Sequence, residues 1–263
     1  MQRSLFAVPR KVFVCEVCGI QNEEKLGVCP ACGAESSLLP EQIFVSPAGR
    51  RKTLIKALDV PARLAIKVST GRQAWDTALG GGLVRNSSVL VYGPKGVGKS
   101  TSVLQIACSV AHRLGGKALF GSAEMPREHL RMYADRVVPA EQLSTLWIED
   151  SGDTETVSQA VIELKPCIIV WDSIQRHRWE GQIGESEQTQ SVARMLEVGH
   201  RVRAFNLLIS QVTKEEDYIG ESGLGHDCDV LVSLRQAGAG LVAVECLTKN
   251  RFHPTPLSAT EKI

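Results

Sequence analysis

Beyond residue 72 the chain alternates short apolar runs with longer stretches whose apolar residues recur at helical spacing. Ser88-Val-Leu-Val-Tyr, Lys117-Ala-Leu-Phe-Gly, Thr145-Leu-Trp-Ile, Cys167-Ile-Ile-Val-Trp and Phe205-Asn-Leu-Leu-Ile read as buried strands. The stretches 99–114, 126–138, 154–165 and 188–204 read as helices between them. In 154–165, Val157, Ala160, Val161 and Leu164 share one face; Ser151, Gly152 and Asp153 supply turn and cap chemistry before it, and Pro166 ends it. This order predicts an α/β fold, a mostly parallel sheet with helices on both faces. Toward the end the pattern changes. Val230-Leu-Val-Ser-Leu and Leu241-Val-Ala-Val-Glu flank Arg235-Gln-Ala-Gly-Ala-Gly, which predicts an antiparallel hairpin appended to the sheet.

The first quarter is of another kind. Residues 33–72 show no sustained periodicity, contain Pro40, Pro47 and Pro61, and carry Arg50-Arg51-Lys52, Lys56, Arg63 and Lys67. Residues 1–72 hold eleven basic and six acidic side chains against nineteen and twenty-three in 73–263, which sets a boundary near residue 72. The predicted organisation is a small module at 1–38, a basic linker at 39–72 and the α/β domain at 73–263. Seven basic against two acidic residues in 41–72 leave two readings of the linker, a solvated tether or a phosphate-contacting arm. The 263 residues fit one large domain plus a small module at about 150 residues per domain. A net charge of +1 excludes a histone-like protein or an acidic tail protein. No run approaches the ~18 apolar residues of a membrane span, and Met1–Arg10 lacks the apolar stretch of a secretory signal, so a cytoplasmic protein is expected.

Four of the eight cysteines form Cys15-x2-Cys18 and Cys29-x2-Cys32, each pair followed by glycine; Cys108, Cys167, Cys228 and Cys246 are scattered singly. In a reducing compartment doubled CxxC knuckles mean metal more often than the alternative, a pair of disulfides. Four thiolates saturate tetrahedral zinc and leave no position for water, so a structural zinc ribbon is expected, folded by its metal.

Between the first strand and first helix of the domain stands Gly93-Pro94-Lys95-Gly96-Val97-Gly98-Lys99-Ser100-Thr101, the GxxxxGK[ST] pattern. Glycines let backbone N–H groups turn toward phosphate oxygens, the lysine reaches the β- and γ-phosphates, and the serine hydroxyl holds Mg²⁺ at the positive end of the helix. A second apolar strand delivers Asp172, placed to help hold that Mg²⁺ opposite Ser100. Hydrolysis also needs a group to position or deprotonate water, and Glu124 follows the neighbouring strand. The alternative for Glu124 is a helix-capping acid before Pro126.

These motifs come in a familiar order. Thr70-Gly71 before Trp75-Asp76, Leu79-Gly-Gly-Gly-Leu-Val, the phosphate loop, Ser122-Ala-Glu, Asp172-Ser-Ile-Gln, Val212-Thr-Lys-Glu and Lys249-Asn-Arg-Phe, behind a four-cysteine ribbon, resemble the RadA (Sms) family of DNA repair and recombination ATPases. The resemblance covers nearly the whole chain. It implies a RecA-like, hexameric, ATP-driven motor that loads on single-stranded DNA and migrates recombination branches, with a recombinase or replicative helicase as a further partner. It implies that Lys249 and Arg251 reach the γ-phosphate held by an adjacent subunit, the alternative being two solvated cations at a strand end. Gln211 stands where the family has histidine; RecA itself has glutamine at the corresponding strand end, which implies a γ-phosphate sensor, against a polar core residue as the alternative. Family members usually continue into a Lon-protease-like domain, whereas this sequence ends at Ile263, so a shortened form or a fragment is expected. His253 replaces the glycine usual after Lys-Asn-Arg-Phe.

Two loops should face a ring pore. The first, from Gln175 to Gly184, places Arg176, Arg178 and Trp179 together, suited to phosphate attraction and base stacking, or else a solvated surface. The second, Lys214 to His226, is acidic and then glycine-rich, which leaves Lys214 as its DNA-contacting cation. Two rivals to the motor remain: a nucleotide-switched, non-motor adaptor that recruits a helicase or recombinase, and a KaiC-like signalling ATPase acting on protein.

Overall fold

The computed structural model describes residues 8–15, 21–22, 24–29, 35, 38–45, 67–178, 187–211 and 224–262. The chain divides into two compact units, Met1–Ile66 and Lys67–Ile263.

In the smaller unit β1 (Val8–Cys15) pairs antiparallel with β2 (Gln21–Asn22) on one side and β3 (Leu38–Val45) on the other. The β1–β3 register runs from Val8↔Val45 to Cys15↔Leu38 without a break. The linker expected over 39–72 therefore begins as a strand, since Ile43-Phe44-Val45 are residues with strong strand preference. Pro40 lies on β3, an edge strand, the position in a sheet where proline is found. Cys15 and Cys29 are buried in one small cluster with Leu38 and partly buried Phe13. Cys18 and Cys32 lie outside the described residues.

The larger unit starts before residue 73. β4 (Lys67–Val68) pairs with β5 (Leu83–Val84), and between them α1 (Gln73–Ala78) is fastened by Asp76. The Asp76 carboxylate accepts from Ser69 Oγ (2.6 Å), Thr70 N (2.8 Å) and Thr70 Oγ1 (2.7 Å). Residues 67–72 thus belong to the domain and not to a tether.

Eight strands form the main sheet: β6 (Ser88–Gly93), β7 (Ala118–Ser122), β8 (Leu146–Glu149), β9 (Ile168–Asp172), β10 (Phe205–Gln211), β11 (Val230–Gly238), β12 (Leu241–Cys246) and β13 (Leu257–Lys262). Their spatial order is β13-β12-β11-β6-β10-β9-β7-β8. From β11 to β8 every pairing is parallel, while β11–β12 and β12–β13 are antiparallel. The expected hairpin is thus extended by a third strand, β13, whose Leu-Ser-Ala-Thr-Glu-Lys sequence carries little apolar signal. A polar clasp holds it: Glu261 accepts from Trp75 Nε1 (2.9 Å) and pairs with Arg72 (2.8 Å).

The connecting helices are α2 (Lys99–Arg113), α3 (Arg127–Val137), α4 (Ala140–Leu143), α5 (Thr154–Leu164) and α6 (Glu187–Val202). Strand residues alternate between two cores. Val89, Val91, Phe120, Val170 and Ile209 pack with apolar residues of α1, α2 and α3, whereas Leu90, Leu119, Ile169, Trp171 and Leu208 pack with those of α5 and α6. The period of two along buried parallel strands puts helices on both faces.

Candidate active site

Parallel register brings four strand ends together: Ser122 lies beside Asp172, Asp172 beside Ile209, and Gln211 beside Gly93. Open α/β sheets bind ligands at the carboxyl ends of their strands. The loop after β6 needs its glycines. Gly93 (φ 150°), Gly96 (φ 81°) and Gly98 (φ 93°) lie in the left-handed region, and a Cβ on Gly93 would sit 2.3 Å from the Leu234 carbonyl oxygen. Gly98 directly precedes α2 and brings no capping side chain to its first turn, the arrangement that suits a bound anion.

Lys99 is buried, and its ammonium donates to the carbonyls of Gly93 (2.7 Å) and Pro94 (2.9 Å). Burial lowers its pKa, while the carboxylates of Asp172 and Glu124 act the other way. Asp172, 9% exposed, is pushed up to about 6 by burial, with Glu124 adding to the rise; a hydrogen bond from Ser100 and the charge of Lys99 oppose it. Two hard oxygen donors, Ser100 and Asp172, therefore meet beside the lysine, a set that fits magnesium.

Glu124 completes the group. Its Oε1 accepts from Ser173 Oγ (2.6 Å) and Gln211 Nε2 (2.7 Å), and Arg176 Nε lies 3.5 Å away. Glu124 and Gln211, with Lys99, Ser100 and Asp172, border a cavity of about 310 Å³ whose walls also include Lys95, Gly96, Thr101 and Tyr133. The structure brings Lys99, Ser100, Asp172, Glu124 and Gln211 to the wall of this one cavity. Sequence reasoning missed Ser173 and Tyr133. Ser173 directly follows Asp172, a position open to suspicion; Tyr133, on α3, shares a hydrogen bond with Thr101 and gave no signal of its own.

Lys249 and Arg251 are elsewhere. Lys249 N–H groups donate to the carbonyls of Gly225 and His226, both at 2.8 Å, and Arg251 pairs with Asp229 at 2.8 Å. Asp229 in turn accepts from the Ser88 N–H and hydroxyl at the start of β6. Gly93, where the phosphate loop begins, closes the same strand, so the two groups lie ~17 Å apart at ~3.3 Å per residue. The pore-loop residues also separate. Arg176 is 65% exposed in its side chain yet stands against Glu124. Arg178 is exposed and its backbone bridges to Asp153. His177 between them is buried, with Nε2 3.2 Å from the Gly121 carbonyl and its ring edge-on to Trp171. Trp179 and Lys214 lie outside the described residues.

Comparison with known proteins decides the family, because a family described as AAA domain matches residues 52–217, more than half of the chain. The chain belongs to the AAA domain family. It is RadA-like: the DNA repair protein RadA of Aquifex aeolicus is 29% identical over 259 residues, covering 94% of this chain and 56% of that protein. RadA of Bacillus subtilis is 26% identical over 264 residues, with 95% and 57% covered. The chain therefore spans little more than half the length of these relatives. The crystal structure of the RadB recombinase superposes with a TM-score of 0.56 at 25% identity, covering 74% of this chain and 95% of that one. The larger unit accordingly has a RecA-like core, and the relatives it resembles are named as DNA repair and recombination proteins.

Proposed function

We propose that this chain is an ATP hydrolase that binds single-stranded DNA and acts as a motor in recombination and repair, by branch migration or a helicase-type activity. The observation that carries the reading is the convergence of Lys99, Ser100, Asp172, Glu124 and Gln211 on one cavity at the strand ends. Lys99 leaves the two carbonyls it now holds and meets the β- and γ-phosphates. Ser100 and Asp172 would hold magnesium, which would supply neutralising charge on the phosphate oxygens. Glu124 orients a water and takes its proton as the water oxygen bonds to the γ-phosphorus and the bond to the departing ADP oxygen breaks. Gln211, neutral and tied to Glu124 in the resting chain, senses the γ-phosphate.

Lys249 and Arg251 act on a neighbour's nucleotide in a homo-oligomeric ring, a class that includes hexamers. Their position at the far end of β6 from Gly93 supports this, since neither reaches the cavity of its own chain. Hydrolysis then depends on assembly. Arg176, Arg178, Trp179 and Lys214 supply cations and a stacking surface for the strand. A structural zinc on Cys15, Cys18, Cys29 and Cys32 belongs to the same proposal, supported by the burial of Cys15 and Cys29 in one cluster. So does action in the cytoplasm, alongside a recombinase or replicative helicase. Among the described residues no helix is long and apolar enough to cross a membrane.

The test is ATP hydrolysis with and without single-stranded DNA, across protein concentrations and at two salt levels, with Lys99→Ala as the blank. DNA-stimulated turnover that rises with concentration and falls with salt is expected. Tight ATP binding without stimulated turnover would instead favour the nucleotide-switched adaptor.

A further inference from the structure

Glu124 carries an unusual load for a group that must accept a proton from water. Ser173, Gln211 and Arg176 all approach the same oxygen, Oε1, at 2.6, 2.7 and 3.5 Å. A carboxylate oxygen has two lone pairs, so three donors compete for it and hold the group in one orientation. The three differ in kind. Ser173 is buried and Gln211 is a neutral amide, whereas Arg176 brings a full charge on a side chain that is 65% exposed.

The stem beneath that side chain is fixed on both sides. Before it, Gln175 Nε2 donates to Ser210 Oγ (2.6 Å) and to the Gln211 carbonyl (3.2 Å), and the Ile174 N–H donates to the Ile209 carbonyl (3.0 Å). After it, His177 is buried against Gly121 and Trp171. The backbone of Arg176 is thus pinned to the ends of β10 and β7, and its guanidinium alone is free to change partners. An exposed ion pair of this length is weak and screened, while a guanidinium binds phosphate through two parallel hydrogen bonds. A phosphodiester reaching the surface here would outcompete Glu124.

We propose that Arg176 is a positioning residue that restrains Glu124 in the resting chain and releases it when its guanidinium turns to a phosphate of a bound strand. The expectation that Arg176 serves DNA contact is thereby joined to the catalytic site: one side chain reads the polyanion and, by leaving, frees the base. This rests on the hydrolase reading above and adds the means by which a strand raises turnover.

The experiment uses the full chain with magnesium, ATP and an oligothymidylate, and compares wild type, Arg176→Ala, Arg176→Lys and the Lys99→Ala blank. Strand affinity is followed separately by fluorescence anisotropy. Arg176→Ala is expected to raise kcat without DNA roughly two- to fivefold toward the stimulated wild-type value, the scale set by an exposed ion pair, with KM for ATP unchanged. DNA should then add little. Arg176→Lys, which keeps the charge, should restore a low resting rate and part of the stimulation, a rescue that a purely structural role would not give. Arg176→Ala with wild-type resting rate and wild-type stimulation overturns the proposal, and so does a fall in its resting kcat. Stimulation lost only in proportion to strand affinity also overturns it, assigning Arg176 to contact alone. Wild type no faster than the Lys99→Ala blank would remove the hydrolase reading and the restraint with it, an outcome distinct from hydrolysis that ignores Arg176.

Discussion

Replacing Asp172 with asparagine should make the nucleotide-free protein more stable at alkaline pH while destroying its response to magnesium and nucleotide. The Asp172 carboxyl moves from 3.8 to about 6, chiefly through burial. A folded value above the unfolded one means that the contribution to stability is complete below the unfolded value and is lost as pH rises through about 6. Above that, a difference of roughly two pKa units at ~1.36 kcal/mol each costs about 3 kcal/mol. The neutral amide of Asp172→Asn avoids that cost, but it forfeits the attraction to buried Lys99 and weakens the bond from Ser100. A net gain of ~1–2 kcal/mol at pH 8 is therefore expected, shrinking steadily below pH 6. Urea unfolding of both proteins at pH 8 and pH 4.5, followed by a signal assigned to the larger unit, measures it. Repeating the pH 8 series with magnesium and a non-hydrolysable ATP analogue should stabilise the wild type and leave Asp172→Asn little changed. A variant less stable than wild type at pH 8, or a gain equal at both pH values, would refute the reasoning.

Other outcomes follow from the same geometry. Glu124→Gln should lower turnover by roughly 100- to 10,000-fold and leave ATP binding intact, read by single-turnover hydrolysis beside equilibrium titration. Arg251→Ala should bind ATP normally and slow hydrolysis on the order of 1,000-fold in assembled protein; normal turnover in assemblies verified by light scattering would sink the neighbour-acting role. Wild type should hold one zinc per chain by metal analysis, and Cys29→Ser should lose it; zinc that persists in this variant excludes the four-thiolate site.

The larger unit is legible in sequence because its central strands β6, β7, β9 and β10 are buried on both faces, whereas β8, expected as buried, leaves Trp147 exposed at the sheet's edge. Runs such as Ile168-Ile-Val-Trp announce themselves, and the helical spacing places α2, α3, α5 and α6 to within two residues but not the four-residue α4. The phosphate loop is equally plain, since its chemistry needs glycines at fixed steps. What escapes notice depends on single polar bonds. Beyond its ladder to β12, β13 is fastened by Glu261 to Arg72 and Trp75, which lie 189 and 186 positions away in sequence, and no local pattern carries such a pairing. Residues 67–72 resemble a tether in sequence because Ser69 and Thr70 acquire their meaning only from Asp76. The charge of Arg176 suggests a DNA contact; its distance to Glu124 follows from how β7 and β9 lie side by side, which sequence spacing does not encode.

The clasp of Glu261 on Arg72 and Trp75 has an architectural consequence. The first helix and the last strand of the larger unit are stitched together, so its entry and exit points share one corner. A body closed on itself in this way behaves as a cassette: it can be spliced between other modules, or given new ones at either end, without reopening its sheet. The strands that carry the phosphate loop and the base, β6 and β7, lie inside that closed body, away from the seam. Evolution can therefore exchange what is attached to this engine while leaving the cylinder untouched.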